Sequence, residues 1–444
     1  MAVLNVAAPP IPMSFSAQTT LSFPPPQTIA DTGLPISFIY DLALKIIYFA
    51  GEIQAHTVAE EMRLPHTNLV EIALNFLVKE EFCQITGATG YSERAYRYTV
   101  TTKGSNKAQE LLARNQYAGP APVPLTVYNE AMNRQGVGMV SVERDTIRNS
   151  FNDIIISDEM LRRVGPAVNS ARSIFLYGPS GNGKTTIAER MARLLGGNVY
   201  LPHAVYADGQ IIRVYDQINH RATSDTQRLG GINENARRDT RWVLCQRPFI
   251  TVGGELTLET LDLIFDPVSK TYEAPFQMKA NGGMLLIDDF GRQQMRPQGL
   301  LNRWIVPLEK RYDFLTLQTG KKIEIPFDVL IVFSTNLDPR ELMDDAFLRR
   351  IRYKIPVGNP SWEDFRAIFQ MNCAQRNIPY DEEMFKYLVL EHYVKVKREP
   401  KSVHPRDLLD QLVDIARYVR KDPRLEKELL DAAVDAYFVK LDKI

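Results

Sequence analysis

Cysteine is scarce in this 444-residue chain: Cys83, Cys245 and Cys373 are its only three, far apart and with no C-x-x-C spacing. That excludes a disulfide framework and a thiolate zinc site, and it points to a reducing compartment. The six histidines (His56, His66, His203, His220, His392, His404) form neither an H-E-x-x-H motif nor a Cys/His cluster, so no metal held by such ligands is implied. No stretch approaches the roughly 18 to 20 apolar residues of a membrane span, and the N-terminus lacks the basic and apolar regions of an export signal. A soluble, cytoplasmic chain is expected. Charge bias is missing too, with 53 Lys plus Arg against 53 Asp plus Glu. This excludes a chain basic throughout, as a bulk nucleic-acid coat would be, and an acidic solvating chain. What is present is 45% hydrophobic residues over a length sufficient for about three domains, each with a core.

Residues 1–30 contain no Asp, Glu, Lys or Arg but do contain Pro9, Pro10, Pro12, Pro24, Pro25 and Pro26. Such a segment builds no core; 1–33 reads as a disordered Pro-rich tail, or as a docking segment anchored by Phe15, Leu21 and Phe23. Residues 34–118 show an apolar helix face (Ile39, Leu42, Ile46, Ile47, Phe49), short helices over His56–Met62 and Pro65–Val78, and strands over Phe82–Thr86 and Ala95–Thr101. A turn at Gly87-Ala88-Thr89-Gly90 joins the strands, and a helix runs through Lys107–Arg114. The pattern resembles a winged helix-turn-helix domain. Pro120, Pro122 and Pro124 make 119–150 read as a linker. Alternating strands and helices then fill 151–356, and 357–444 reads as helical.

The chemistry concentrates in the middle. The apolar run Ser173–Tyr177 leads into Gly178-Pro179-Ser180-Gly181-Asn182-Gly183-Lys184-Thr185, followed by a helical stretch from Thr186 to Leu195. This is G-x-x-x-x-G-K-[ST] between a strand and a helix, the context in which backbone N–H groups and a helix N-terminus cradle phosphates. Lys184 would bridge the β- and γ-phosphates of ATP, and the Thr185 hydroxyl would hold Mg²⁺. A second apolar run, Met284–Ile287, ends in Asp288-Asp289. Asp288 would hold the metal through water, and Asp289 would orient or deprotonate the attacking water. A third, Val329–Thr335, ends at Asn336, which is placed to hydrogen-bond that water or the γ-phosphate, or simply to form a turn. Asp345-Ala346-Phe347-Leu348-Arg349-Arg350 follows, its arginines either solvated or suited to a phosphoryl-transfer site in a neighbouring subunit.

In this order the elements resemble the AAA+ ATPases, ring-forming P-loop enzymes, over roughly residues 150 to 440. The resemblance implies an α/β fold: a three-layer P-loop core with a C-terminal helical lid, here preceded by the winged-helix domain. It makes Gly178–Thr185 Walker A, Asp288 and Asp289 Walker B, Asn336 sensor 1, and Arg349 or Arg350 the arginine finger. Arg406, in His404-Pro405-Arg406-Asp407, takes the place of sensor 2, and Asp153-Ile154-Ile155-Ile156 resembles the segment that packs on adenine, with Ile155 at its centre. A hairpin around Thr319-Gly320-Lys321 and an insertion from Phe249 to Pro275 are similar to the pre-sensor-hairpin, helix-2-insert group with its MoxR-type chaperones. The arrangement also resembles bacterial AAA+ proteins linked with Flp-type pilus assembly. Most of the superfamily has Glu where Asp289 stands, a residue one methylene longer, which leaves slow hydrolysis open. No G-A-F-T-G-A loop is present, which disfavours enhancer-type transcription activation.

Residues 34–117 carry eight Lys plus Arg and nine Asp plus Glu, not the footprint of a phosphate-backbone reader. Arg94, Arg97, Lys103, Lys107 and Arg114 leave room for a glancing contact. The Arg-rich stretch Arg228, Arg237, Arg238, Arg241, Arg247 reads as a solvated helix face, or as a contact with a neighbour's nucleotide or a threaded substrate. The expectation is an Mg·ATP-dependent ring, a hexamer by family resemblance, that remodels or assembles protein partners recruited by the winged helix. A DNA-associated ATPase and a slow-hydrolysing, ATP-gated scaffold are the alternatives.

Overall fold

The computed structural model describes residues 23–88, 95–223, 238–342 and 345–438. Phe15, Leu21, Thr89, Gly90, Arg94, Arg228 and Arg237, singled out above, lie outside these residues.

The N-terminal unit begins with the helix Ile36–Ala50, whose Ile39, Leu42, Ala43, Ile46 and Ile47 are buried at helical spacing. It packs with the helices Ala55–Met62, Glu71–Lys79 and Thr102–Arg114 around one core. The helix expected from Pro65 starts later, because Thr67 and Asn68 have non-helical backbone, Asn68 at φ 63°. Strands β1 (Glu52–Gln54), β2 (Cys83–Ala88) and β3 (Tyr96–Val100) form an antiparallel sheet in the order β1-β3-β2. A three-residue strand such as β1 has no alternation long enough to read from sequence.

The expected linker is instead folded into the body. β4 (Val123–Pro124) pairs in parallel with β7 (Ala204–Ala207), and the helix Leu125–Arg134 buries Tyr128, Ala131 and Met132, spaced i, i+3, i+4. Prolines keep the chain extended up to Pro124, and the amphipathic helix follows at once. Beyond β5 (Ile174–Tyr177) and the helix Lys184–Leu195 come β6 (Asn198–Pro202), β7, β8 (Gln210–Arg213), β9 (Trp242–Gln246) and β10 (Phe249–Val252). β11 (Ile264–Asp266), β12 (Thr271–Glu273) and β13 (Met284–Ile287) follow. The chain then forms β14 (Tyr312–Thr316), β15 (Lys322–Pro326), β16 (Leu330–Thr335) and β17 (Tyr353–Pro356).

The central sheet is all parallel in the order β10-β13-β16-β5-β17. Its strands are apolar runs because both faces are covered. Ile174, Leu176, Met284, Leu286, Leu330 and Val332 enter the core on one face, and Phe175, Leu285, Ile287, Ile331 and Phe333 the core on the other. Phe249–Val252, expected at the start of an insertion, is therefore a core strand. The accessory sheet β11-β12-β8-β7-β4 is built instead from residues on both sides of it. The expected hairpin forms as β14-β15, with Tyr312 opposite Pro326, and with the turn beside it buries Leu315, Leu317, Ile323 and Ile325 in the accessory core.

The N-terminal unit is clamped to this accessory layer. Phe23, expected in the tail, stacks on Trp242 with ring centroids 4.4 Å apart, and its carbonyl accepts the Asp239 N–H at 2.7 Å. Arg241, read above as part of a solvated face, is 4% exposed and pairs with Asp239, while its Nη1 donates to the Thr32 carbonyl at 2.9 Å. Thr240 donates to the Arg63 carbonyl, and the Gln116 N–H to that of Ser269.

The C-terminal helices Trp362–Gln375, Glu382–Val389, His404–Tyr418 and Lys427–Tyr437 share their own core. Ser361 and Asp381 cap the first two by accepting N–H groups of Asp364 and of Glu383 and Met384. The architecture is thus the α/β class expected from the AAA+ resemblance, a three-layer P-loop core followed by a helical lid. Cys83, Cys245 and Cys373 are buried free thiols, each pushed up to about 12 by desolvation and so kept from thiolate chemistry. Among the described residues no helix is long and apolar enough to cross a membrane.

Candidate nucleotide-binding site

The loop between β5 and the helix Lys184–Leu195 turns on glycines that nothing else could replace without strain. Gly178 has φ 141°, and a Cβ there would lie 2.2 Å from the Val357 carbonyl oxygen; Gly181 has φ 85° and lies against Val403 of the lid. The loop borders a cavity of about 720 Å³ between the core and the lid, also lined by Asp288, Asp289, Asn336 and Arg406.

Lys184 is 6% exposed and donates to the carbonyls of Gly178 (2.8 Å) and Pro179 (3.0 Å) and to Asn336 Oδ1 (2.5 Å). Desolvation holds its ammonium below the usual lysine range, against the opposing pull of Asp288 and Asp289. The Thr185 hydroxyl donates to Asp288 Oδ2 at 2.8 Å. Asn336 Nδ2 donates to Asp289 Oδ1 at 3.1 Å, so one amide links the lysine to the second acid. Asp289 sits at φ 48°, a left-handed conformation that Asp tolerates better than most residues.

A hydroxyl beside a carboxylate is the hard oxygen pair that Mg²⁺ takes, with phosphate oxygens and water completing its shell. Among the described residues no group of three or more His, Cys, Asp or Glu is arranged to hold a metal by itself. Ile154, Ile155, Ile156, Ile368 and Met371 also line the cavity and give it an apolar surface of the kind a purine requires. Ser180, Asn182, Gly183 and Thr186 line the same space.

The structure therefore brings together the residues singled out at 155, 178–186, 288–289, 336 and 406. Arg406 lies in the first turn of the helix His404–Tyr418, with Nε donating to Asp407 at 2.9 Å. Arg349 and Arg350 do not line this cavity: Arg349 is exposed, and Arg350 Nε donates to Glu309 at 2.5 Å.

Three features of the cavity were not read from the sequence. Arg292 lines it four residues after Asp288; the only local signal was a cation in the turn after the acid pair. Gln293 staples that turn by donating to the carbonyls of Asp288 and Asp289. The C-terminal helical unit also grips the glycine-rich loop directly, the N–H groups of Ser402 and Val403 donating to Asn182 Oδ1 (3.1 Å) and the Gly181 carbonyl (2.9 Å). Asn182 Nδ2 donates to Asn359, which in turn donates to Glu399.

Residues 361–436, most of the lid, match a family model described as a domain of unknown function, DUF8689. No curated protein matches the chain. Among solved structures, it is similar to NtrX from Brucella abortus in complex with ATP, at 15% identity and TM-score 0.40 over 64% of this chain and 56% of that one. NtrX in complex with ADP gives 14% and 0.40, over 67% and 59%. The Thermotoga maritima RuvB Holliday junction branch migration motor gives 12% and 0.35, over 64% and 70%. The chain thus spans under two thirds of the NtrX length. Its fold class rests on its own sheet order and phosphate loop.

Proposed function

We propose that the chain is an Mg·ATP-dependent AAA+ ATPase that assembles as a ring and remodels or assembles protein partners. The observation that carries this reading is the linked set Lys184, Asn336, Asp289, with Thr185 on Asp288, lining a cavity that also has apolar lining for the base. Bound Mg²⁺ would supply charge neutralisation at the β- and γ-phosphate oxygens. In this reading the loop N–H groups and Lys184 hold the phosphates, and Asp289, oriented by Asn336, accepts the proton of the attacking water at its carboxylate. Arg349 and Arg350, outside the cavity of their own chain, serve the neighbour's γ-phosphate. A finger supplied in trans is worth roughly 10³ to 10⁵ in rate.

The N-terminal unit is proposed as a winged helix that docks protein. Four of the five basic residues read there as a possible phosphate contact are ion-paired: Arg97 with Glu52, Lys103 with Glu81, and Lys107 and Arg114 with Glu110. Pairing of this kind flattens the field a DNA backbone requires. A MoxR-like chaperone role in the cytoplasm and a hexameric ring belong to the same proposal.

Complementation tests the shared site. Lys184→Ala and the double variant Arg349→Ala/Arg350→Ala are each expected to be inactive alone. Mixed, they should recover part of the phosphate release, because intact fingers then face intact loops. Parental turnover by the double variant alone would rule the shared site out.

A further inference from the structure

We propose that Arg292 is a ligand of the terminal phosphate of a nucleoside triphosphate, supplied by the same subunit that holds the nucleotide. The assignment rests on the ATPase reading and adds to it the group that tells ATP from ADP.

Its backbone is fixed. The Arg292 N–H donates to the Asp289 carbonyl at 3.0 Å, and Gly291 takes φ 104° with Leu342 so close that a Cβ would meet it at 2.6 Å. Gln293 closes the turn from the other side, accepting the Gly291 N–H at 2.8 Å while donating to the carbonyls of Asp288 and Asp289. Phe290, 1% exposed, is pinned to β16: its N–H donates to the Ser334 carbonyl at 2.7 Å, and its carbonyl accepts the Thr335 hydroxyl at 2.6 Å. The turn that places Asp289 on Asn336 therefore also holds Arg292 at the cavity.

Its charge is uncommitted. Lys184 is taken by two carbonyls and Asn336, Arg406 by Asp407, and Arg190 by Asp153. Among the described residues no side chain pairs with the Arg292 guanidinium, although it lines the cavity with Asp288 and Asp289. A triphosphate brings the negative oxygens this group lacks, and a guanidinium offers them a bidentate fork.

Its position selects the phosphate. Ile154–Ile156 and Met371 are the apolar lining suited to a base, and Thr185 on Asp288 is the oxygen pair suited to the metal. Arg292, whose N–H donates to the Asp289 carbonyl, goes with the acid pair, where this reading puts the last phosphate of a triphosphate and where a diphosphate has nothing to offer it.

The test is the affinity of the full-length chain for a non-hydrolysable ATP analogue and for ADP, each with Mg²⁺, at protein concentrations below assembly. Arg292→Ala is expected to weaken the analogue roughly tenfold or more and ADP by less than about twofold. Arg292→Lys should recover part of the loss, and the unfolding temperature without nucleotide should not move. Equal loss for both nucleotides, or loss for neither, overturns the assignment. A loss seen only in assembled chains gives Arg292 to the neighbour's site and overturns it as well. Failure of the parental chain to bind either nucleotide overturns the ATPase reading along with it, and is told apart by that parental result.

Discussion

Lys45 shows how far a single residue's setting departs from what its type suggests. A lysine at the polar edge of an amphipathic helix reads as solvated, yet it is 3% exposed, its ammonium donating to Asn115 Oδ1 at 2.7 Å. Burial pushes it from the usual 10.5 down to about 8, with Asp41 pulling the other way. Between those values the unfolded chain binds more protons than the folded one, so stability rises as pH climbs from about 8 towards 10.5, and the penalty is full below 8. The contribution is on the order of 3 kcal/mol. Thermal unfolding of the parent and Lys45→Met, from pH 7 to 10, should show the parent gaining on the variant as pH rises; parallel curves would refute the buried charge. At the site the lesson is similar. That Lys184, Thr185 and Asp288 would meet at one cavity was legible because such motifs hold their residues in fixed local spacings. Arg292 was not, because what turns it inward is a side chain one residue on and a glycine whose φ no pattern displays.

At the scale of elements, the central strands and lid helices were legible because burial on both faces, or on one stripe, leaves a periodic mark. The accessory layer was not. β12 pairs with β8 and β7 with β4 across long sequence separations, and β4 is two residues long. Composition misled at 119–150, where prolines outweighed the i, i+3, i+4 spacing of Tyr128, Ala131 and Met132. The clamp between the N-terminal unit and the accessory layer depends on the pair Arg241–Asp239, with side chains 4% and 5% exposed. Arg241→Ala leaves Asp239 buried without its partner and releases the Thr32 carbonyl. The expected loss is about 3 to 5 kcal/mol, seen as an earlier first transition in thermal unfolding and faster proteolytic release of the N-terminal unit. Unchanged cleavage would mean that Phe23 on Trp242 and the remaining contacts suffice.

Taken whole, the central sheet and the accessory layer are joined through one hairpin. β14-β15 leads into the strand that carries Asn336 and buries its apolar face in the accessory core, where Phe23 and Arg241 fasten the N-terminal unit. A partner held by that unit would therefore ride on the same body as the hairpin rather than swing on a tether. The opposite side of the cavity is the lid, hydrogen-bonded to the phosphate loop through Asn182 and Gly181. Nucleotide between core and lid would thus act on both. The measurement that tests this account most directly is phosphate release from ATP by the full-length chain, with nucleotide binding followed in parallel, for the parent, Lys184→Ala and Asp289→Asn. The account predicts Mg²⁺-dependent turnover in the parent, loss of binding in Lys184→Ala, and retained binding with turnover reduced roughly 10² to 10⁴-fold in Asp289→Asn. Turnover at the parental rate in Asp289→Asn, or a parent that binds no nucleotide, would contradict it.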